Sequence, residues 1–199
     1  MKSSQEDDKL NNKDKRISNT FSVPFALGDV KDNIRVTTNH SSALTFEEIA
    51  DKAFHLQSTG NLLEAVKYYQ YLVDQKCNDS NVYANYGIIL HTLGKPRQAE
   101  ILTRKAIEIK PNFANAYCNL GGILKDLGKL EEAEISTLRA IELNSNLEIA
   151  HSNLGMIFSD LGKLKEAEIA TRKAIEIKPN FVNANYNLAC ILKDLGKSE

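Results

Sequence analysis

The sequence lacks an excess of charge of either sign. Of its 199 residues, 25 are Lys or Arg and 26 are Asp or Glu, so the formal net charge is -1, and the two signs are mixed along the chain. Proteins that bind nucleic acid usually gather basic residues on one face or along one helix. This composition therefore disfavours nucleic acid as a partner.

Long apolar runs are also missing. The longest are only a few residues, and the amino-terminal segment MKSSQEDD contains no apolar core of the kind that a secretory signal requires. These absences predict a soluble protein of the cytoplasm that has no membrane partner.

Cysteine is scarce, and the spacing of the cysteines suggests no shared site. Cys77, Cys118 and Cys190 are odd in number and form no C-x-x-C pair. Neither a disulfide framework nor a zinc site is indicated. Because free cysteines are usually buried packing residues, we expect each of the three to fill space in the interior of a protein from a reducing compartment.

Enzyme motifs are absent as well. The sequence has no phosphate-binding glycine loop, no H-E-x-x-H and no serine in a G-x-S-x-G context. The four histidines share no ligand spacing: His40, His55, His91 and His151. We interpret His151 as a packing residue at a helix interface. The chain itself is predicted not to be an enzyme and to contain no catalytic residue, cofactor site or metal site.

What the sequence does contain is a repeat of 34 residues. LGKLEEAEI from position 127 recurs as LGKLKEAEI from position 161, and RKAIEIKPNF at 104–113 recurs at 172–181, twice that period. A fixed period of this size is typical of stacked helical repeats. We place full repeats at about 46–79, 80–113, 114–147 and 148–181 and a partial fifth from 182 to 199. The array is predicted to span 43–199.

Small residues recur at fixed places in these repeats, where they would let paired helices approach closely. The first such column is Ala53, Gly87, Gly121, Gly155 and Ala189. The second is Ala65, Ala99, Ala133 and Ala167, and the third is Leu72, Ala106, Ala140 and Ala174. Leu124 and its equivalents, three places after the first column, predict an apolar stripe along one side of a helix.

Turn residues separate the predicted helices. A glycine falls between the two helices of every repeat, at positions 60, 94, 128, 162 and 196, where it permits the left-handed residue that ends a helix. Pro111 and Pro179 close the second helix of their repeats because proline cannot continue the backbone hydrogen bonds.

This pattern resembles the tetratricopeptide repeat family, which has small residues at the eighth, twentieth and twenty-seventh places, a large one at the eleventh and proline at the thirty-second. The resemblance implies an all-α fold, a right-handed superhelix of antiparallel helix pairs whose first helices line a concave groove. The fourth place, often tryptophan in the family, differs here: it holds Ile49, Tyr83, Tyr117, His151 and Asn185.

The two ends of the chain differ from the repeats. Residues 1–42 are rich in Asn, Ser, Asp and Lys and are predicted to be a flexible, disordered leader. Within it, residues 21–27 are either a linker that packs two phenylalanines on the first repeat or a short docking peptide. The final LGKSE stops where earlier repeats continue into another helix, which predicts a fragment of a longer protein with an unfinished end.

A polar column is the candidate binding site. Asn85, Asn119, Asn153 and Asn187 lie 34 residues apart, two places before the first small column. Asparagine is worse than alanine in a helix by about 0.6 kcal/mol, but its amide carries donors and an acceptor that suit a peptide backbone. The alternative is that duplication copied one harmless asparagine. Asn81, Asn115 and Asn183, near the helix starts, are further candidates or ordinary helix caps.

The resemblance sharpens this interpretation. Residues 116–121, AYCNLG, and 150–155, AHSNLG, are similar to the repeats of O-linked N-acetylglucosamine transferases, in which an asparagine ladder holds substrate protein. The chaperone-tail version of the fold instead uses lysine and arginine at the second and sixth places to clamp a terminal carboxylate. From the second repeat onward those places hold asparagine or isoleucine, which disfavours that version.

Three functions follow as hypotheses. The leading one is an interaction scaffold that binds an extended protein or peptide segment in its groove through the asparagine ladder. The second is the substrate-recruiting amino-terminal part of a longer glycosyltransferase-like or other transferase enzyme whose catalytic domain is absent from this chain. The third is a structural array that self-associates weakly through its unfinished carboxyl-terminal end.

Overall fold

The computed structural model describes residues 44–196. Within that range the chain forms nine α-helices and no strand, which confirms the all-α prediction. The leader predicted for residues 1–42, including the segment 21–27, lies outside the described residues. The helices are α1 Phe46–Ser58, α2 Leu62–Asp74, α3 Ser80–Thr92, α4 Pro96–Ile109, α5 Ala114–Asp126, α6 Leu130–Leu143, α7 Glu148–Asp160, α8 Leu164–Ile177 and α9 Val182–Asp194.

Local signals in the sequence start these helices. A capping box begins α1: the Glu48 amide donates to Thr45 Oγ1 at 3.2 Å, and the Thr45 amide donates to Glu48 Oε2 at 2.7 Å. The Asp79 side chain caps α3 by accepting from the Asn81 amide at 2.8 Å. Pro96 occupies the first turn of α4, where its missing amide hydrogen breaks no bond.

The turn within each repeat ends on a glycine in the left-handed region, as predicted. Gly128 has a φ of +73°. The following Lys129 amide reaches back to the Leu124 carbonyl at 2.9 Å, and the Gly128 amide reaches the Lys125 carbonyl at 2.9 Å, so the last carbonyls of α5 are satisfied. This tight closure folds α6 back against α5.

The helix pairs stack into a solenoid. Each odd-numbered helix from α1 to α7 is the first helix of its repeat and packs against the second helix that follows it, and consecutive first helices also contact one another. The main contacts of a second helix are with the first helices on either side of it. Because first helices lie closer together than second helices, the first helices form the inner face of the array.

The predicted small columns form the core. Ala65, Ala99, Ala133 and Ala167 are fully buried, as are Leu72, Ala106, Ala140 and Ala174. Gly87, Gly121 and Gly155 are buried opposite a second helix. Ala189 departs from its column and is exposed, because no second helix follows α9 within the described residues.

Ion pairs connect the second helices along the outer face. Lys129 Nζ lies 2.8 Å from Glu100 Oε1 of the preceding repeat, and Lys163 Nζ lies 2.9 Å from Glu134 Oε2. Burial raises the pKa of the Glu100 carboxyl, but the hydrogen bonds and positive charges of Lys129 and Arg104 outweigh it, and the net pKa is lowered. Glu100 therefore stays ionised and links the two repeats at neutral pH.

A column of buried threonines faces the glycines, and one member differs from the others. Thr137 Oγ1 donates to the Ala133 carbonyl and Thr171 Oγ1 to the Ala167 carbonyl, both at 2.8 Å. Thr103 Oγ1 is equally buried but has no hydrogen-bond partner in the described part of the chain. A buried hydroxyl without a partner costs about 1–3 kcal/mol in lost hydration.

This difference predicts opposite responses to the same substitution. Thr103→Val should leave the free energy of unfolding unchanged or raise it by up to about 1 kcal/mol, whereas Thr137→Val should lower it by about 1 kcal/mol. Urea unfolding followed by circular dichroism measures both, and Thr171→Val serves as a second example of the bonded type. Equal losses at positions 103 and 137 would contradict the assignment.

Candidate functional site

The four ladder asparagines lie on successive first helices. Asn85 is on α3, Asn119 on α5, Asn153 on α7 and Asn187 on α9, and every one is half-buried. Three contact the preceding repeat through their amides: Asn153 Nδ2 donates to the Cys118 carbonyl at 3.4 Å, and Asn187 Nδ2 donates to Ser152 Oγ at 3.3 Å. Asn85 hydrogen-bonds the Tyr69 hydroxyl.

These bonds leave part of each amide available. An asparagine side chain has two N–H donors and one carbonyl oxygen, and the bonds of Asn153 and Asn187 each use the nitrogen only. Asn119 makes no side-chain hydrogen bond to any residue from 44 to 196, so its whole amide is available. Three members of the column therefore contact the preceding repeat, and the column still offers polar groups to the inner face.

The three asparagines near the helix starts are not caps. The capping positions of α3, α5 and α9 are Asp79, Phe113 and Phe181, so the alternative interpretation of Asn81, Asn115 and Asn183 is wrong. All three lie one residue inside the helix and are exposed.

A cleft of about 660 Å³ opens on the inner face of the first repeats. Two ladder asparagines, Asn85 and Asn119, line it together with Asn81 and Asn115. Asn153, Asn183 and Asn187 lie outside this lining. The structure thus brings four of the seven predicted site residues together in one cleft.

Apolar and acidic side chains complete the cleft, and sequence reasoning missed them. Phe54 of α1 and Ile149 of α7 line the cleft, and their exposed fractions are 58% and 46%. Asp51, Asp79 and Glu148 supply three carboxylates. The position of Phe54 could have been predicted from the sequence. It directly follows Ala53 of the first small column, on the helix face that holds the asparagines in later repeats.

Burial governs the titratable groups beside the cleft. It raises the pKa of Tyr69 to about 12, although the Asn85 hydrogen bond lowers it. It also raises the pKa of the Cys118 thiol to about 12. Both side chains are therefore neutral at physiological pH, and neither is activated as a nucleophile or base.

Two residues at the fourth place contact the turn that precedes their helix. His151 Nε2 lies 2.9 Å from the Ser145 carbonyl, and Asn185 Nδ2 donates to the Pro179 carbonyl at 3.0 Å. Positions 145 and 179 are equivalent in the repeat. His151 thus has a structural contact with the turn, and its packing at a helix interface stays a prediction. The two polar residues that replace tryptophan, His151 and Asn185, share this contact with the turn.

The prediction for the cysteines is correct for two of the three. Cys77 and Cys118 are buried packing residues. Cys190 is exposed because it lies on α9, which no later helix covers within the described residues, so the prediction is wrong for this position. From residue 44 to 196 no group of three His, Cys, Asp or Glu side chains is placed to hold a metal ion. None of the described helices combines the length and apolarity needed to cross a membrane.

Comparison with known families identifies the array. The family model described as the cilia and flagella-associated protein 70 middle TPR-like domain matches residues 50–175, more than half of the chain, and the tetratricopeptide repeat model matches residues 170–199. The chain belongs to the tetratricopeptide repeat family. No curated protein matched this tetratricopeptide array.

Solved structures share the fold of this tetratricopeptide array. MamA from Desulfovibrio magneticus RS-1 is 18% identical, with a TM-score of 0.66 over 76% of this chain and 86% of that chain. YrrB, described as a TPR protein with an unusual peptide-binding site, is 23% identical, with a TM-score of 0.61 over 76% and 78%. The first TPR of Spaghetti (RPAP3), bound to the HSP90 peptide SRMEEVD, is 25% identical, with a TM-score of 0.57 over 59% and 94%.

Proposed function

We propose that this chain is a protein-interaction scaffold that holds an extended peptide segment in the cleft of its inner face. The observation that carries the proposal is the convergence of four asparagine amides and two exposed apolar side chains, Phe54 and Ile149, on that cleft. An extended backbone presents N–H and C=O groups along its length, and asparagine amides match both kinds of group. Apolar walls bind the side chains of the segment.

The similar structures support the proposal by example. RPAP3 binds an HSP90 peptide on the same fold, and YrrB has a peptide-binding site. In this chain the asparagines on α3 and α5 occupy the inner face that such a segment would follow. The ladder members in the cleft, Asn85 and Asn119, are half-buried, whereas Asn81 and Asn115 are exposed, so the two pairs offer amides of different accessibility.

The other two hypotheses stay proposals. Weak self-association is favoured by Val182 and Tyr186 of α9, which are 76% and 70% exposed at the carboxyl-terminal end of the described array. Recruitment of substrate for a linked transferase uses the same cleft and the same peptide chemistry, so it is an extension of the leading function.

Replacing two cleft asparagines tests the leading function. Asn115→Ala together with Asn119→Ala removes two amides that make no side-chain hydrogen bond within the described residues, so the fold should be unaffected. Peptides would be selected from a displayed random library on the unaltered protein. Their dissociation constants should rise about tenfold or more in the variant, since each lost hydrogen bond is worth about 0.5–1.5 kcal/mol.

A matched variant controls for the loss of asparagine itself. Asn61→Ala with Asn180→Ala changes two exposed turn positions outside the cleft lining, and the Asn61 side chain makes no capping bond. Binding to this variant should equal that of the unaltered protein. The proposal would be contradicted if the selected peptides bound the Asn115/Asn119 variant as tightly as they bind the Asn61/Asn180 control variant.

A further inference from the structure

The charged side chains of the cleft are all acidic. Asp51 on α1, Asp79 before α3 and Glu148 at the start of α7 line it, and no Lys or Arg does so within the described residues. The whole chain is close to neutral, with 25 basic and 26 acidic residues. The charged residues of the cleft are therefore all negative, although the chain as a whole has nearly equal numbers of acidic and basic residues.

These carboxylates differ in how far they are already paired. Asp51 is exposed and makes no ion pair with any described residue. Asp79 uses Oδ1 for the Asn81 amide, which leaves Oδ2. Glu148 Oε1 lies 3.1 Å from Lys178 Nζ, and this hydrogen bond holds the pKa of the Glu148 carboxyl below its usual value. Two carboxylates are thus available for a cation, and the third is partly neutralised.

The helix ends near the cleft do not reverse this balance. The amino-terminal end of a helix carries a partial positive charge of about half a unit. Asp79 already caps α3, and Glu148 lies in the first turn of α7, so a full negative charge offsets each of these two ends. The amino-terminal end of α5, where Phe113 and Asn115 line the cleft, has no acidic residue in its first turn and keeps its partial positive charge. Lys178 and Lys110 lie at the margin of the cleft, against Glu148 and the Phe113 ring. The full charges of the lining side chains themselves are all negative.

Apolar side chains stand beside the carboxylates. Phe54 lies three residues after Asp51, which places both on the same side of α1, and both line the cleft. Ile149 follows Glu148 at the opposite wall. A peptide segment complementary to these walls has a cationic side chain, to pair with a carboxylate, next to an apolar side chain, to contact Phe54 or Ile149.

We propose that the partner is an extended peptide segment that carries Lys or Arg next to apolar residues. This proposal rests on peptide binding in the cleft, and it favours a more basic segment than the peptide SRMEEVD bound by RPAP3, which contains two Glu and one Asp against one Arg. In this proposal the asparagine amides bind the backbone of the segment whatever its sequence, and the carboxylates provide specificity for basic side chains.

The test uses three labelled peptides that share their apolar residues and differ only at two positions, which are Lys, Gln or Glu. Fluorescence anisotropy on the full chain should rank their affinity in that order. We expect about a tenfold difference between the Lys and Glu peptides at low ionic strength and a smaller one at about 1 M salt, because exposed charge pairs are weak and screened.

Neutral substitutions assign the preference to the cleft. Asp51→Asn with Asp79→Asn removes two charges, and asparagine still caps a helix. The preference for Lys over Glu should fall to about threefold or less in this variant. Glu108→Gln with Glu142→Gln makes the same change in net charge at exposed positions of α4 and α6 outside the cleft, and it should leave the preference intact.

The outcomes separate the two proposals. Equal binding of the three peptides, with loss in the Asn115/Asn119 variant, overturns the charge preference and leaves peptide binding standing. A preference that falls equally in both charge variants shows long-range attraction only and also overturns it. Absence of binding by all three peptides, together with failure of library selection, overturns peptide binding itself.

Discussion

Alanine at position 121 should destabilise the array by about 2 kcal/mol, even though alanine favours helix formation over glycine by about 1 kcal/mol. A Cβ at Gly121 would collide with Thr137 Oγ1 and would lie 3.3 Å from Thr137 Cβ. The hydroxyl cannot turn away without breaking its bond to the Ala133 carbonyl. The substitution therefore forces α5 and α6 apart or breaks that bond, and urea unfolding followed by circular dichroism measures the loss.

The neighbouring glycine supplies the control. A Cβ at Gly122 would meet Asn153 Nδ2 at 3.5 Å, an ordinary contact, so Gly122→Ala should be neutral or stabilising in the same helix. Combining Gly121→Ala with Thr137→Ala removes the colliding group, and the penalty of the glycine substitution should become much smaller in that background. If Gly121→Ala were as harmless as Gly122→Ala, the close approach of the two helices would be refuted.

The second large effect is expected at Leu124. This side chain is fully buried and packs in one cluster with Leu120, Ala133 and Ile157, which come from α5, α6 and α7. Leu124→Ala should lower the free energy of unfolding by about 3 kcal/mol through lost burial and the cavity it leaves. Since repeats contact only their neighbours, amide hydrogen exchange should accelerate most in those three helices and least in α1 and α2.

An exposed leucine gives the matched comparison. Leu63 on α2 is 72% exposed, so Leu63→Ala makes the same chemical change without a cavity and should cost less than about 0.5 kcal/mol. A uniform rise in hydrogen exchange along all nine described helices after Leu124→Ala would mean that the array unfolds as one cooperative unit, against the nearest-neighbour account.

The period of the sequence was sufficient to predict the helix pairs, because packing constraints repeat with it. Ala99, Ala133 and Ala167 are buried where the columns placed them, and Gly128 turns the chain where a left-handed residue was required. The threonines that face the glycine column were not predicted. Their importance lies in a contact between two helices, and nothing in the sequence of either helix shows which residues meet.

The cleft was only half predictable for the same reason. The asparagine column indicated the inner face, but a period treats all repeats alike and cannot show that Asn85 and Asn119 line a cleft whereas Asn153 and Asn187 do not. That difference depends on side chains outside the column, such as Phe54 and Ile149, which the repeats do not share. Asn81 and Asn115 were ambiguous because helix starts favour asparagine as a cap, and only the geometry of Asp79 and Phe113 removes that role.

The joint between the third and fourth repeats is held on two sides. On the inner face Asn153 Nδ2 holds the Cys118 carbonyl, and on the outer face Lys163 Nζ holds Glu134. At this joint the inner contact joins neutral groups and the outer contact joins charged groups, so added salt should weaken the outer contact more than the inner one. A ligand that competed for the Asn153 amide would weaken the inner contact and leave the ion pair on the outer face in place.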